Sequence, residues 1–201
     1  MQVIEAQEKE RAIIGYELHD NINQILTASK LHLQFTNDTL KDKNILKSIE
    51  YIQTAINEIR NISRSLSAPT LGSKSLTDSI SNLIQNISNV TNLDIYFEYS
   101  TYSKEISKEQ SLAIYRITQE QINNIIKHAG ATKVNISLAQ DNKVTILNIS
   151  DNGKGFDTRV KRNGIGLNNI LSRSQIFNGK MSIDSAPGKG TKLEIILPMQ
   201  F

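Results

Sequence analysis

Glu17-Leu18-His19-Asp20-Asn21-Ile22-Asn23-Gln24 sets an imidazole beside a carboxylate within an apolar stripe of helical spacing, Ile14, Leu18, Ile22, Ile25 and Leu26. The stripe reads as one face of an amphipathic helix. On the helical count His19 lies about 100° from Leu18, at the edge of the stripe and within reach of solvent. A histidine attacks best when one ring nitrogen is free and a neighbouring group holds the proton of the other, and Asp20 is the nearest candidate. A second apolar series follows: Ile45, Ile49, Ile52, Ile56, Ile59, Ser63 and Leu66 alternate four and three steps, the period of a coiled-coil seam. The polar stretch 37–44 suits the connection of two antiparallel helices. Two helices alone bury too little, so a second copy that closes a four-helix bundle is the economical arrangement, and the chain is expected to be a homodimer. A hairpin packed on the rest of its own chain is the competing reading.

The 201 residues are 38% apolar with three prolines, enough for an ordinary core in one or two domains. Without cysteine, disulfides and thiolate metal sites are excluded, and a reducing compartment is compatible. The first ten residues mix charged and apolar side chains and lack the pattern of a secretory leader. No uncharged apolar run reaches the ~20 residues that span a bilayer. The polypeptide is therefore expected in the cytoplasm, and a longer, membrane-anchored parent is compatible with the sequence. Net charge is +3, too little to suggest nucleic acid as a partner. Residues 1–70 hold eight Lys/Arg against nine Asp/Glu and residues 71–201 hold fifteen against eleven, so the positive excess lies in the half expected to meet phosphate.

Pro69 and Gly72 break the helical pattern, which divides the chain into 1–68 and 72–201. Beyond the break, a helix through Leu76, Ile80, Leu83, Ile84 and Ile87 leads to a strand over 94–99, and a second helix is predicted over 107–128. Alternating runs at 134–138 and 144–149 flank a turn at Asp141-Asn142-Lys143. A helix over 167–177 and strands over 180–185 and 192–197 complete an α+β domain, one mixed sheet with helices on one face.

Asp151-Asn152-Gly153-Lys154-Gly155-Phe156 follows a strand, where missing Cβ atoms allow a sharp turn and close approach of a ligand. Asp151 could accept from an exocyclic amine such as that of adenine. Taken alone, the same residues suit a tight turn equally well. Gly164 and Gly166 stand just before a helix, whose first N–H groups are suited to phosphate. Lys154, Arg159, Lys161 and Arg162 between the glycine pairs read as a basic lid over a polyphosphate or as a solvated loop. Glu120 and Asn124 share a helix face, with Lys127 and His128 on the next turn; their oxygens suit Mg2+, and a plain polar face has the same pattern. His128 either contacts phosphate or caps the helix before Ala129-Gly130. His32 has no partner motif and reads as structural.

Together these residues resemble the sensor histidine kinases that partner NarL/LuxR-type response regulators, the nitrate-sensor and DesK-like class, over about residues 10–198. Arg11 with Glu17-Leu18-His19-Asp20 looks like the phosphoacceptor motif of the dimerisation helices. Glu120, Asn124, Lys127 and His128 match the N box. Asp151, Gly153 and Gly155 match the first glycine box, and Gly164, Gly166 and Leu167 the second. Gly188, Gly190 and Thr191 resemble the final glycine and threonine element. The resemblance implies a dimerisation and phosphotransfer unit over 1–68 and, over 72–201, the GHKL (Bergerat) ATP-binding sandwich shared with gyrase and MutL.

It also implies the chemistry. ATP and Mg2+ would occupy the second unit, His19 would attack the γ-phosphorus, and Asp20 would hold the other ring nitrogen and its proton. The phosphoryl group would pass to an aspartate of a separate receiver. Asp20 and Gln24 resemble the D-x-x-x-Q element that positions water to dephosphorylate that receiver, and residues 4–14 would end a signalling helix. Two other functions compete: a receiver phosphatase or adaptor without autophosphorylation, against which Glu120, Asn124 and the glycine boxes stand, and a nucleotide-gated interaction module, which has no need of His19.

Overall fold

The computed structural model describes residues 2–66, 75–100, 106–159 and 165–199. The Pro69 and Gly72 break, Lys161, Arg162 and Gly164 lie outside the described residues. The chain divides into two compact units between residues 69 and 70.

The first unit is a helical hairpin. One arm is continuous from residue 2 to 40: α1 (Gln2–Glu17), a π-helical segment (Leu18–Ile22) and α2 (Asn23–Leu40). The other is α3 (Lys43–Leu66), which packs along both α1 and α2. The seam from Ile45 to Leu66 is the face α3 turns inward: Ile56 and Ser63 are buried and the other five positions are partly covered. Of the upstream stripe, Leu18 and Leu26 are partly covered, whereas Ile14, Ile22 and Ile25 are exposed in the single chain. Ser63 fills its seam position by donating its Oγ–H to the carbonyl of Gly15 at 2.7 Å. The connection is far shorter than the polar stretch 37–44 suggests. α2 runs to Leu40, Lys41 takes a left-handed conformation (φ 49°) with its N–H bonded to the Asn37 carbonyl, and the Asp42 carboxylate accepts the N–H of Asn44 at 2.6 Å. Polar residues on an exposed helix face do not end the helix; the left-handed residue does.

The second unit begins with α4 (Leu76–Ser88), capped by Ser75 Oγ accepting the N–H of Asp78. Then follow β1 (Asp94–Ser100), α5 (Lys108–Asn124) with its Ser107 cap, a second π-helical segment (Ile125–Ala129), β2 (Lys133–Gln140), β3 (Val144–Asp151), α6 (Ile165–Ile176), β4 (Lys180–Ser185) and β5 (Thr191–Pro198). The five strands form one sheet in the order β1-β2-β3-β5-β4, parallel between β1 and β2 and antiparallel elsewhere. A parallel pair needs a crossover, and α5 supplies it. At the β2–β3 hairpin the Asp141 carboxylate accepts the N–H groups of Lys143 and Val144, which closes the turn. The inward residues of β2, β3 and β5, among them Ile136, Leu147, Ile149, Leu193 and Ile195, join Ile80, Ile114, Ile117, Ile122 and Ile170 of the helices in one core. Two helix limits differ from the sequence reading. The helix placed at 107–128 passes into the π segment at Ile125, and the helix placed at 167–177 starts at Ile165.

Candidate functional site

The first candidate centre lies on the π segment of the hairpin. His19 Nδ1 and Asp20 Oδ1 are 2.7 Å apart, and the histidine side chain is 64% exposed. An ionised carboxylate only accepts, so Nδ1 carries a proton, and in the neutral imidazole the free lone pair lies on Nε2. Asp20 also accepts from the Tyr16 hydroxyl. The hydrogen bond with His19 first, and that with Tyr16 second, hold its carboxyl below the usual carboxylate range. The Tyr16 phenol is correspondingly pushed up, since losing its proton beside this carboxylate is unfavourable. Gln24 is exposed on the first turn of α2. Tyr16 was not singled out from the sequence, although it stands four residues before Asp20, a spacing that shares a helix face.

The second centre is a cleft of about 290 Å³ in the second unit, between α5, its π segment, α6 and the β3 and β5 ends. Of the residues nominated from sequence, Asn124, His128, Asp151, Gly155, Gly166, Leu167 and Thr191 line it. Ile125, Phe156, Ile183 and Leu193 give it apolar walls, and Lys154 and His128 are exposed at it.

Asp151 ends β3. Its Oδ1 accepts the Gly153 N–H at 2.8 Å and its carboxyl also accepts the Thr191 N–H. Burial outweighs both bonds and pushes its pKa up. The loop after Asp151 is stitched down on both sides. Asn152 Oδ1 accepts the N–H groups of Thr132 and Lys133, each at 2.9 Å, and the Lys154 N–H bonds the Ala129 carbonyl. Ser185 Oγ donates to the Gly190 carbonyl and accepts the Phe156 N–H. Gly155 (φ 57°) and Gly190 (φ 70°) permit this approach. A Cβ at Gly155 would collide with the Ala186 carbonyl, and one at Gly190 with the Asp151 carbonyl. Asn152 and Ser185 were missed in the sequence because their work is to brace backbone from elsewhere in the chain.

Gly166 brings α6 against α5. A Cβ there would stand 2.7 Å from Glu120 Oε1 and 2.9 Å from Asn124 Oδ1, so these two oxygens converge on the α6 N-terminus. Asn124 Nδ2 is buried and has no hydrogen-bond partner among the described residues. Lys127 is exposed on the π segment and does not line the cleft. Gly153 and Gly190 are buried in the loop walls. Arg159 turns back on Asp157, with Nε and Nη2 each 3.0 Å from a carboxylate oxygen, so this residue of the basic lid is already paired. Among the described residues no group of three or more His, Asp and Glu converges as a metal site. No helix among them is long and apolar enough to cross a membrane.

Comparison with known proteins matches both parts of the chain to described families. Residues 10–71 match the family described as histidine kinase, and residues 109–200 match the histidine kinase-, DNA gyrase B- and HSP90-like ATPases. The sensor histidine kinase MctS of Rhizobium johnstonii is 32% identical over 98% of this chain and 45% of its own length. The signal transduction histidine-protein kinase/phosphatase DegS of Brevibacillus brevis is 28% identical over 99% of this chain and 54% of its own. The chain thus spans about half the length of the curated relatives it matches. In fold it is similar to the histidine kinase domain of the blue-light activated histidine kinase of Erythrobacter litoralis, with TM-score 0.51 and 14% identity over 96% of this chain and 94% of that one. Carrying a histidine kinase helical module followed by an ATPase module of the histidine kinase and gyrase type, the chain belongs to the histidine kinases.

Proposed function

We propose that this chain is the catalytic core of a dimeric two-component kinase, which phosphorylates His19 from ATP and passes the phosphoryl group to an aspartate of a response regulator. The observation that carries the reading is the His19–Asp20 pair, an exposed imidazole with Nδ1 fixed and Nε2 free, in a chain that also holds an ATPase cleft. Residues 1–68 serve as dimerisation and phosphotransfer helices and residues 72–201 as the ATP-binding domain. Exposed Ile14, Ile22 and Ile25 beside the phosphoacceptor support pairing of two hairpins into a four-helix bundle. The core works in the cytoplasm, where ATP and the receiver are found.

The base of ATP enters among Ile125, Ile183 and Leu193, and Asp151 accepts from its amino group. Gly153, Gly155 and Gly190 let the loop close around it with Thr191, while Leu167 covers it from α6. The phosphates lie toward Asn124, His128 and Gly166, where N–H groups at the α6 terminus offset negative charge. His19 Nε2 forms a bond to the γ-phosphorus as the bond from phosphorus to the bridging β,γ-oxygen breaks and ADP leaves. Asp20 retains the Nδ1 proton and offsets the charge that develops on the ring. Glu120 Oε1 and Asn124 Oδ1, one carboxylate and one carboxamide oxygen that converge beside Gly166, fit Mg2+, an ion that keeps several waters and would take its remaining ligands from phosphate. When bound, that ion neutralises charge on the β- and γ-phosphates.

The kinase/phosphatase DegS among the relatives favours a second activity, in which Asp20 and Gln24 orient water toward the phosphorylated receiver. The test of the main reading is incubation with γ-labelled ATP and Mg2+, with His19→Gln and Asn124→Ala alongside. Acid-labile, alkali-stable label present in the parent and absent from both variants is expected. ATP binding without label would leave phosphatase or adaptor as the function.

A further inference from the structure

Gln121 has no part in that account although it lines the same cleft. It stands three residues before Asn124 on α5 and is 4% exposed. Its Oε1 has no hydrogen-bond partner among the described residues. A buried carboxamide acceptor without a donor is unfavourable, so the complementary donor is sought in what enters the cleft.

Burial along the lining says which part of a nucleotide that is. His128 and Lys154 are exposed, whereas Gln121, Ile125, Thr191 and Leu193 are buried. A polyphosphate keeps to the exposed cationic side, and an uncharged planar base goes to the buried apolar side. There, beside the Thr191 hydroxyl that already meets Ser185 Oγ, the cleft presents the Gln121 amide oxygen and the half-buried Asp151 carboxylate as acceptors. An exocyclic amine carries two hydrogens, one for each.

We propose that Gln121 is a base-reading residue, whose Oε1 accepts from the exocyclic amino group of an aminopurine nucleotide and so sharpens selection of adenine. The inference rests on the reading of the cleft as an ATP site and adds a second polar contact to that of Asp151. It also explains why the amide oxygen is tolerated unpaired in the free protein: the site is pre-organised for its ligand, and the oxygen finds its partner on binding.

The test uses the whole chain with ADP and with purine riboside 5′-diphosphate, which lacks the amino group, both titrated by calorimetry into the parent and into Gln121→Met. Diphosphates avoid turnover. The parent should prefer ADP, and the variant should lose roughly three- to tenfold of that preference through weaker ADP binding, with the amino-free ligand changed less than twofold. An unchanged preference would overturn the proposal. Thermal unfolding without ligand gives an independent reading. Removing an unpaired buried acceptor should leave the variant as stable as the parent or more so, and a less stable or unfolded variant would show that the amide serves the fold and not the ligand. If the parent binds ADP and only the preference fails to move, the base-reading role alone is lost. If the parent binds neither diphosphate, the ATP reading of the cleft falls with it.

Discussion

Gly188 and Gly190 occupy one turn and both have left-handed backbones, with φ of 80° and 70°, yet replacing each by alanine should have very different results. A Cβ at Gly188 meets nothing within 4 Å, so Gly188→Ala costs only the left-handed conformation, about 1 kcal/mol. A Cβ at Gly190 collides with the Asp151 carbonyl oxygen and stands 3.0 Å from the Asp151 carbonyl carbon and 3.3 Å from Asn152 Cα. These are backbone atoms held by the β3–β5 ladder and by Asn152, so no flexible side chain can yield. Overpacking of this kind adds about 1–3 kcal/mol, and Gly190→Ala should cost roughly 2–4 kcal/mol in all. Amide exchange of Ile149 and Leu193, both in the core of the sheet, reports opening of this unit without interference from the hairpin. Their exchange should quicken about fivefold in Gly188→Ala and at least about thirtyfold in Gly190→Ala. Because the collision pushes on Asp151, Gly190→Ala should also lose nucleotide binding where Gly188→Ala keeps it. Equal acceleration in the two variants would refute the steric argument.

Four further outcomes follow from the site geometry. Gly166→Ala drives Glu120 Oε1 and Asn124 Oδ1 from their positions while improving helix propensity, so autophosphorylation should fall at least roughly tenfold with thermal stability unchanged or raised. Asn152→Ala removes the acceptor of two backbone N–H groups and should lower stability by about 1–2 kcal/mol in chemical denaturation. Tyr16→Phe deletes one of the bonds that hold the Asp20 carboxyl down, so its midpoint in a carbon NMR titration should rise toward the ordinary value. The sign is that of a depressed acid: the arrangement is complete above the ordinary carboxylate range and is lost as pH falls through the lowered value. Asp151 has the opposite sign, its raised pKa meaning that its contribution to stability declines as pH rises. Asp151→Asn should therefore leave the free protein no less stable at neutral pH by calorimetric scan while ADP affinity falls roughly tenfold or more.

What could be read in advance was local or periodic. The α3 seam from Ile45 to Leu66 was legible because helix pitch alone turns those positions to one side. The start of the α5 helix was legible within a residue from its apolar period, and the structure adds the Ser107 cap. The glycines at 153, 155 and 166 were legible because absence of a Cβ is written in the sequence. Length of the hairpin connection was not, since Asp38, Thr39 and Leu40 are compatible with helix or coil and the left-handed Lys41 decides between them. Nor were the two π segments, in which the carbonyl partner shifts by one residue without any residue type that demands it. Gln121 shows the same limit at the site. Among Gln119, Glu120 and Gln121 in a row, only the packing of α5 against the sheet selects which amide faces the cleft.

The widened turn at Leu18–Ile22 holds one residue more than an α-helical turn would. Each residue advances an α-helix by about 100°. A helix that absorbs one extra residue in a single turn keeps its axis while its two ends fall out of phase by that angle. Residues 2–17 and 23–40 are thus two shafts joined off their common keyway, with His19 on the coupling. Deleting one residue between 18 and 22 would restore an unbroken pitch and leave both flanks facing as they do now, whereas winding the same residues into plain α-helix would turn every side chain upstream by about a quarter of a revolution relative to those downstream.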